Sequence, residues 1–279
     1  MKTNVKLAGK YFFPSQPEIE SNTQQYKEVK AKGHLCKDIA LFYQFKTKKN
    51  EISSFSVIPD GCFDILFCCG SNKHSAVLWT SPLHRTTQHD FESECDYFGI
   101  RFLPEQKVFK LKNSMKELLG KKIPLLDVIS LDSSIVEKIG AAKSFYERIV
   151  LFETFIKNSA SSLNYSLNIV EYSIKKIYSS NGLINIDKLS NETGYSARHL
   201  RNKFEEYIGF SPKQFSEIVR FQNSLAMVLH TDNINLLDVV HENGYHDQAH
   251  FIKGFKKFAH LTPIQFKEVV SQYPYNKKF

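Results

Sequence analysis

The sequence predicts an α+β protein, in which a β-rich N-terminal domain with a helical extension precedes an all-α domain of two helix-turn-helix units joined by a long helix. Three patterns carry this prediction. Runs of β-branched and aromatic residues, separated by turn residues, occupy positions 39–102. Apolar residues at helical spacing follow them. After residue 184, one helical pattern occurs twice, about 50 residues apart.

The length of 279 residues suits two domains, because single domains average roughly 100 to 200 residues. We expect the β-rich domain over residues 1–130, a helical linker or dimerisation segment over 131–165, and the helix-turn-helix domain over 166–279. A hydrophobic content of 42% excludes a disordered chain. The net charge of +8 favours a polyanionic partner, but it is divided as +5 over residues 1–167 and +3 over 168–279. Bulk charge therefore does not locate the binding site.

The chain has neither an apolar run behind its basic N-terminus nor a stretch of about 18 apolar residues, so we expect a cytoplasmic protein without a membrane partner. Five cysteines lie in the first hundred residues, and their odd number argues against a disulfide scaffold. Buried, reduced thiols are the favoured interpretation. The alternative is a redox or metal sensor, built on the adjacent Cys68 and Cys69 or on His84, His89 and Cys95.

Residues 1–35 are mostly polar and show weak periodicity. Strands are predicted beyond them, over residues 39–46, 52–58, 63–69, 76–79 and 97–102. Pro59-Asp60-Gly61 is a turn signal between two of these runs, because proline suits the first corner and glycine a positive φ. A small antiparallel sheet or barrel is the expected result.

Two helices are predicted after the strands. The first covers Glu105 to Leu119 and ends at Gly120, a frequent C-cap residue. The second, about Ser133 to Lys157, carries apolar residues at spacings of three and four: Ile135, Ile139, Ala142, Tyr146, Ile149, Phe152 and Ile156. This stripe either packs against the β domain of its own chain, which we favour slightly, or forms a dimer contact. The polar residues 158–164 are the best candidate for a linker.

The C-terminal part begins with a helix from about Ser166 to Tyr178. In the two repeated units that follow, a Gly-Tyr pair precedes a helix with an apolar stripe at i, i+4 and i+7: Leu200, Phe204 and Tyr207 in the first, and Phe251, Phe255 and Phe258 in the second. Each unit is a predicted helix-turn-helix. A helix of roughly 18 residues connects them and spans about 27 Å, comparable with the roughly 34 Å between successive major grooves on one face of DNA.

Arg198, Arg201 and Asn202 lie at i, i+3 and i+4, on the helix face opposite Leu200 and Phe204. Arginine offers a fork that matches guanine O6 and N7, and asparagine a donor–acceptor pair that matches adenine N6 and N7. We expect this face to read bases. Helix-terminal amides and nearby cations suit phosphates, at Ser196, Lys203, Asp247, His250, Lys256 and Lys257.

The two units, with Gly-Tyr at each turn, Asp247-Gln248-Ala249-His250-Phe251 opening the second reader helix and a closing Phe-Lys-Lys-Phe…Leu-Thr-Pro, resemble the AraC/XylS family of transcription regulators over about residues 168–270. The resemblance implies double-stranded DNA as partner and Gln248, Ala249, Ile252 and Lys253 as the base-reading face of the second unit. The sequence departs from the family pattern at Ile252 and Lys253, where serine and arginine are common. Lysine lacks the bidentate fork of arginine. The second unit is therefore expected to add affinity more than specificity.

Residues 57–67 and 98–104 resemble the sensor-side domain of one subset of this family, whose ligands are largely unassigned. This implies a compact, cupin-like β domain that responds to an effector. Asp60 and Asp64 flank a turn, and we expect them to cap local amides; ligand or metal carboxylates are the alternative.

The leading hypothesis is a sequence-specific DNA-binding transcription regulator, an activator or a repressor, that acts with RNA polymerase, responds to a small-molecule effector and functions as a monomer or a homodimer. No cofactor, metal or catalytic residue is expected. One alternative is an enzyme whose thiol accepts an alkyl group, but Cys62 lies beside Asp60 and Asp64, which would raise the pKa of its thiol. The other alternative is a partner-binding protein that no longer reads DNA.

Overall fold

The computed structural model describes residues 12–48, 54–70, 73–159, 168–230 and 235–271. The N-terminal half contains helix α1 (Pro17–Asn22), strand β1 (Gln24–Lys30), a 3-10 turn (Gly33–Lys37), strands β2 (Ile39–Lys46), β3 (Phe55–Val57), β4 (Phe63–Cys69), β5 (Ser75–Thr80), β6 (Thr86–Gln88) and β7 (Asp96–Phe102), helix α2 (Met115–Leu118), strand β8 (Lys122–Pro124) and helices α3 (Leu125–Val128), α4 (Ser134–Ala141) and α5 (Phe145–Ser159).

The C-terminal half is helical. It contains α6 (Asn168–Ser179), α7 (Ile186–Thr193), α8 (Ala197–Ile208), α9 (Pro212–His230), α10 (Leu236–Glu242), α11 (Gln248–Ala259) and α12 (Pro263–Ser271). The prediction of an α+β protein with a β-rich N-terminal part is confirmed. Within the described ranges, no helix combines the length and the apolar character that crossing a bilayer requires. The predicted linker 158–164 lies almost entirely outside these ranges.

The main sheet is antiparallel, with strand order β1-β2-β7-β4-β5-β8. Strand β4 lies in its interior, and all seven residues of β4 are buried. One face of β4 (Ile65, Phe67 and Cys69) packs under helices α2 to α5. The other face (Leu66 and Cys68) packs on the small β3–β6 sheet and α1. Burial on both faces explains why this run is apolar at every position except Asp64, rather than alternating.

Three strands were not predicted, namely β1, β6 and β8. Strand β1 is an edge strand whose side chains are largely exposed, with the burial concentrated on Tyr26 and Val29. A polar edge strand gives little hydrophobic periodicity, so residues 24–30 had no recognisable pattern.

The predicted helix over 105–119 is wrong except at its end, where α2 forms a single turn. Side chains replace the helical hydrogen bonds of residues 105–114. The Gln106 amide donates to the carbonyl of Phe109 and accepts from its N–H, both at 2.9 Å. The carboxylate of Asp38 accepts from the N–H of Lys107 at 2.8 Å. These contacts hold an irregular connection against the sheet.

The predicted single helix over 133–157 is also wrong, because the chain breaks into α4 and α5 at residues 142–144. Ala142 is extended, with ψ 138°. The Ser144 hydroxyl then accepts the N–H of Glu147 at 3.2 Å, and the Glu147 carboxylate accepts the N–H of Lys143 at 2.9 Å. This pair of contacts resembles a capping box and starts a second helix.

The apolar stripe of these two helices packs mainly on the sheet of its own chain, as favoured from the sequence. Ile135, Ile139, Phe152 and Ile156 belong to the core on the α-covered face of the sheet. Tyr146 differs, since 68% of its surface is exposed.

The two halves share a packed interface. Phe12 stacks on Tyr178 of α6 at a ring separation of 4.9 Å. The buried amide of Gln222, on α9, donates to the carbonyl of Pro59 at 2.8 Å and accepts the N–H of Ser15 at 3.0 Å. The N-terminal half therefore contacts the helix that joins the two helix-turn-helix units.

Candidate nucleic-acid interface

The first helix-turn-helix consists of α7 and α8. Asn185 caps α7 by accepting from Asp187 N–H at 2.7 Å, and Ser196 caps α8 by accepting from His199 N–H at 3.2 Å. Between them Gly194 has φ +72°, a left-handed conformation that favours glycine. The predicted turn is therefore present, and the two caps fix where α7 and α8 begin.

The outer face of α8 carries Arg198, Arg201 and Asn202, all exposed. Its inner face is fully buried at Leu200 and Phe204. The structure thus brings the three predicted base-reading side chains together on one surface. Arg201 makes an ion pair with Glu205 one turn further along, at 3.3 Å, which orients the guanidinium along the helix.

The second unit, α10 and α11, repeats this construction. Gly244 has φ +62°. Asp247 caps α11, with its carboxylate accepting from His250 N–H at 2.7 Å. The pKa of Asp247 is lowered by the hydrogen bond with His246 and by the His250 amide. A charged cap at this position contributes to the stability of the helix start.

The outer face of α11 carries Gln248, Ala249 and Lys253, which are exposed, and Ile252, which is half-buried. All four residues predicted for the second reading surface therefore lie on one helix face. Ile252 packs partly against the core of its own domain, so only part of its side chain is available to a partner.

The predicted phosphate contacts differ in what they already bind. Lys203 pairs with Glu206 at 3.0 Å, and Lys257 pairs with Glu217 of α9. His250 accepts the N–H of His246 through Nδ1 at 3.2 Å. No ion pair among the described residues involves Lys256, which is exposed. Of the three lysines predicted to contact phosphate, Lys256 is therefore the most available.

Arg220, on α9, is a residue that the sequence analysis missed. Its guanidinium lies 3.7 Å from the ring centroid of Tyr245 and donates to the carbonyl of Asn243 at 2.7 Å and to that of Gly244. Burial lowers the pKa of Arg220. This side chain ties the turn of the second unit to α9. Nothing in the helical periodicity marks it, because its partners lie more than 20 residues away.

The N-terminal half also contacts the C-terminal ends of both reader helices, which was not predicted. Lys116 of α2 pairs with Glu205 of α8 at 2.6 Å. The N–H of Arg85 donates to the carbonyl of Phe258 on α11 at 2.8 Å, and His84 stacks on His260. Both reader helices are therefore held from one side by the β-rich half.

A second polar cluster is buried inside the N-terminal half. Arg101 makes a two-pronged contact with Asp64, at 3.0 and 2.9 Å, and Tyr43 donates to Asp64 at 2.6 Å. Burial opposes the charge of Arg101, but Asp64 and Asp60 outweigh it and raise the pKa of Arg101. Asp64 is thus a strand residue paired with arginine, not the predicted turn cap.

Asp60 does cap its turn, since its carboxylate accepts the N–H of Cys62 at 2.9 Å. The side-chain amide of Gln16 also donates to it at 2.9 Å. Burial raises the pKa of Asp60, and Arg101 opposes this shift. The cavity beside the cluster is about 20 Å³, room for a water-sized molecule only.

Cys62 is buried, and its pKa is raised well above the ordinary value, first by burial and then by Asp60. The direction of this shift is the one predicted from the sequence. A larger groove of about 630 Å³ lies on the other side of this half and is lined by Val108, Phe109, Lys110, Leu111, Lys112, Ile129, Ser130, Leu131, Asp132 and Phe155. The described residues also include one cluster with metal-ligand chemistry, formed by Cys68, Glu92 and Cys95.

Two family models match the chain. One, described as a helix-turn-helix domain, covers residues 189–268. The other, described as a domain of unknown function (DUF6597), covers residues 27–124. The first covers both helix-turn-helix units from Leu189 of α7 onward, and the second covers most of the strands.

Curated relatives match the C-terminal part. An uncharacterized HTH-type transcriptional regulator of Haemophilus influenzae is 35% identical over 86 residues, which are 31% of this chain and 28% of the relative. An uncharacterized HTH-type transcriptional regulator of Staphylococcus aureus (strain N315) is 31% identical over 84 residues, 30% of this chain and 11% of the relative. The chain therefore spans only a small part of the relatives that it matches.

Solved structures of ToxT from Vibrio cholerae are also similar. One covers 90% of this chain and 99% of ToxT, with 10% sequence identity and a TM-score of 0.44. Another, of ToxT with a bound unsaturated fatty acid, covers 89% of this chain and all of ToxT, with 12% identity and a TM-score of 0.43.

Proposed function

We propose, from the premise that residues 189–268 belong to the AraC-type helix-turn-helix domains, that the whole chain is a sequence-specific DNA-binding regulator of transcription. Its proposed partners are double-stranded DNA, RNA polymerase and a small-molecule effector. A second copy of the chain is a further candidate partner.

The observation that carries the proposal is the exposure of two equivalent faces on one repeated scaffold. In the first, Arg198, Arg201 and Asn202 offer groups that match guanine and adenine edges in the major groove. Helix α9 joins the units and has 19 residues, so it spans about 28 Å. A connecting helix of this length suits the placement of the two reader helices in successive major grooves on one face of a duplex.

We assign different roles to the two readers. The first has two arginines and an asparagine, whose forked and paired groups discriminate between bases. The second has Gln248 as its polar base-reading candidate, beside Ala249 and the half-buried Ile252, which touch only apolar edges such as the thymine methyl. Lys253 and Lys256 add positive charge. The second unit therefore contributes mostly phosphate affinity.

The effector is proposed to act at the β-rich half. The cavity next to Asp60 and Arg101 is too small for a metabolite, whereas the groove of about 630 Å³ near Phe109 and Phe155 has the size of small-molecule sites. The direct contacts of this half with α8, α9 and α11 give it a route to the DNA-reading face.

Neither alternative function gains support from a specific observation. An alkyl-accepting enzyme needs a reactive thiolate, and the burial and raised pKa of Cys62 oppose one. A protein that no longer reads DNA has no reason to keep Arg198, Arg201 and Asn202 together on an exposed face.

Genomic footprinting of the tagged protein tests the proposal, with wild type, Arg201→Ala and Lys143→Ala compared. Lys143 is an exposed cation of the N-terminal half, so its removal lowers the net charge equally without touching a reader helix. Discrete peaks that share a motif in wild type and Lys143→Ala, and that disappear in Arg201→Ala, support the proposal. Full occupancy by a folded Arg201→Ala protein would overturn the assignment of the first reader.

A further inference from the structure

Two cysteines from different parts of the sequence meet inside the β-rich half. The Sγ atoms of Cys68, on β4, and Cys95, directly before β7, are 2.7 Å apart. Both side chains are buried. This separation is shorter than a non-bonded contact of two sulfur atoms and longer than the roughly 2.05 Å of a disulfide bond.

The register of the sheet explains the meeting. Cys68 pairs with Tyr97, so the side chains of Cys68, Tyr97 and Cys95 point to the same face. Cys69 points to the opposite face and lies in a different core. The adjacent pair Cys68–Cys69 considered from the sequence therefore cannot act together, and His84 lies elsewhere, against α11.

Cys95 is held in place by the end of β2. Its N–H donates to the hydroxyl of Thr47 at 2.8 Å, and its carbonyl accepts the N–H of Thr47 at 3.0 Å. The same hydroxyl also donates to the carbonyl of Glu92 at 2.5 Å. The backbone that carries Cys95 is thus fixed next to β4, and the two sulfur atoms need little movement to bond.

We propose that Cys68 and Cys95 are a redox-modification site that forms an intramolecular disulfide bond when the protein meets hydrogen peroxide. One thiolate attacks a peroxide oxygen, the O–O bond breaks, and a sulfenic acid and hydroxide form. The second thiol attacks the sulfenic sulfur, the S–S bond forms, and the oxygen leaves as water. Two thiols and one peroxide thereby yield one disulfide and two water molecules.

The reaction is slow and selective for a small oxidant. Cys68 and Cys95 are only 5% and 4% exposed, which excludes bulky disulfide reagents. The hydrogen bond with Cys68, followed by burial, raises the pKa of Cys95, so the thiolate is scarce near neutral pH.

Bound zinc is the competing use of the same atoms, because the carboxylate of Glu92 lies within reach of both sulfur atoms. Two thiolates on one zinc ion, each at about 2.3 Å, lie well over 3 Å apart. The observed separation of 2.7 Å favours a bond between the sulfur atoms.

Intact-mass measurement after peroxide treatment and alkylation of remaining thiols tests the proposal on the full chain. We expect wild type to lose two alkylatable thiols and two hydrogen atoms, and dithiothreitol to restore them. The exposed Cys36 provides a matched control, since Cys36→Ser should still form the bond. Cys68→Ser and Cys95→Ser should not form the bond. If Cys68→Ser fails to fold, Cys68→Ala takes its place.

Peptide mapping under non-reducing conditions must find the Cys68–Cys95 link. Oxidised wild type should also melt at a higher temperature than the reduced protein, because the bond closes a loop between residues 27 apart in sequence. A different cysteine pair, over-oxidation of single thiols without a link, or stoichiometric zinc in the purified protein that protects both thiols would each overturn the proposal. None of these results depends on DNA binding.

Discussion

The ring of Phe215, on the connecting helix α9, lies so close to Gly61 that a Cβ atom on residue 61 would be 2.5 Å from Phe215 Cε2. Gly61 also has φ +74° in the turn after Pro59 and Asp60. The turn of the β-rich half is therefore seated directly against the helix that positions both reader units.

Gly61→Ala is expected to destabilise the protein through this contact. The methyl group meets the Phe215 ring, and overpacking of this kind typically costs about 1–3 kcal/mol, in addition to the backbone strain of a positive φ. Gly33→Ala is the matched control, because Gly33 has φ +61° and nothing within 4 Å of its Cβ position. Urea unfolding of both variants measures the difference. Equal losses would mean that the contact with Phe215 is not maintained in solution.

Arg220→Lys is expected to loosen the second helix-turn-helix selectively. Lysine keeps the charge but loses the planar fork that reaches the carbonyls of Asn243 and Gly244. We expect a loss of about 1.5–3 kcal/mol, since a hydrogen bond that involves a charged group contributes about that much. Hydrogen exchange should accelerate in α10 and α11, with α7 and α8 as the internal reference. Uniform acceleration of both units would contradict this role.

The buried carboxyl of Asp60 predicts a pH dependence of stability. Its pKa is raised in the folded protein, so the folded protein binds this proton more tightly than the unfolded chain does. The associated stabilisation is present below the ordinary pKa of 3.8 and is lost as the pH rises through the raised value. Relative to wild type, Asp60→Asn should therefore gain stability as the pH rises from 4 towards neutral.

Asp132→Asn is the comparison variant, because the pH dependence of stability from Asp132 has the opposite sign to that from Asp60. The pKa of the exposed Asp132 is lowered by hydrogen bonds from Ser134, so its contribution is present above the ordinary value and is lost as the pH falls. Unfolding midpoints at several pH values measure both trends. A parallel pH dependence of wild type and Asp60→Asn would show that Asp60 does not titrate in this range.

Lys256→Ala and Arg201→Ala should weaken DNA binding in different ways. Loss of a phosphate contact lowers affinity for all sequences alike and reduces the slope of log K against log salt by about 0.9. Loss of a base-reading arginine costs about 1–3 kcal/mol on the preferred site and relaxes the choice of base at one position. Binding isotherms at several salt concentrations, on the preferred and a scrambled site, separate the two. Identical behaviour of the variants would remove the distinction between the reader residues and the phosphate contact.

The sequence predicted the features that depend on local patterns. The repeated helical pattern with a Gly-Tyr pair at each turn, and strand β4 over its full length, were predicted because a few neighbouring residues determine them. The assignment of individual reader residues to bases and phosphates stays a prediction.

Features that depend on distant partners could not be predicted. The helix expected over 105–119 fails because Asp38 and Gln106 supply hydrogen bonds that compete with helical ones. Arg101, Arg220 and the meeting of Cys68 with Cys95 depend on strand register and helix packing, which no short window of sequence contains.

The contacts of Lys116 with Glu205 and of Arg85 with Phe258 have a consequence for protein engineering. In a chimera fused between α5 and α6, a foreign N-terminal half would replace the native one. It would lack the partners of Glu205, of the end of α11 and of Gln222. Transplanting the N-terminal half alone would therefore remove these contacts with α8, α9 and α11. A chimera that keeps these contacts must carry the complementary residues of α8, α9 and α11 together with the N-terminal half. The two sides of the interface therefore have to be exchanged together.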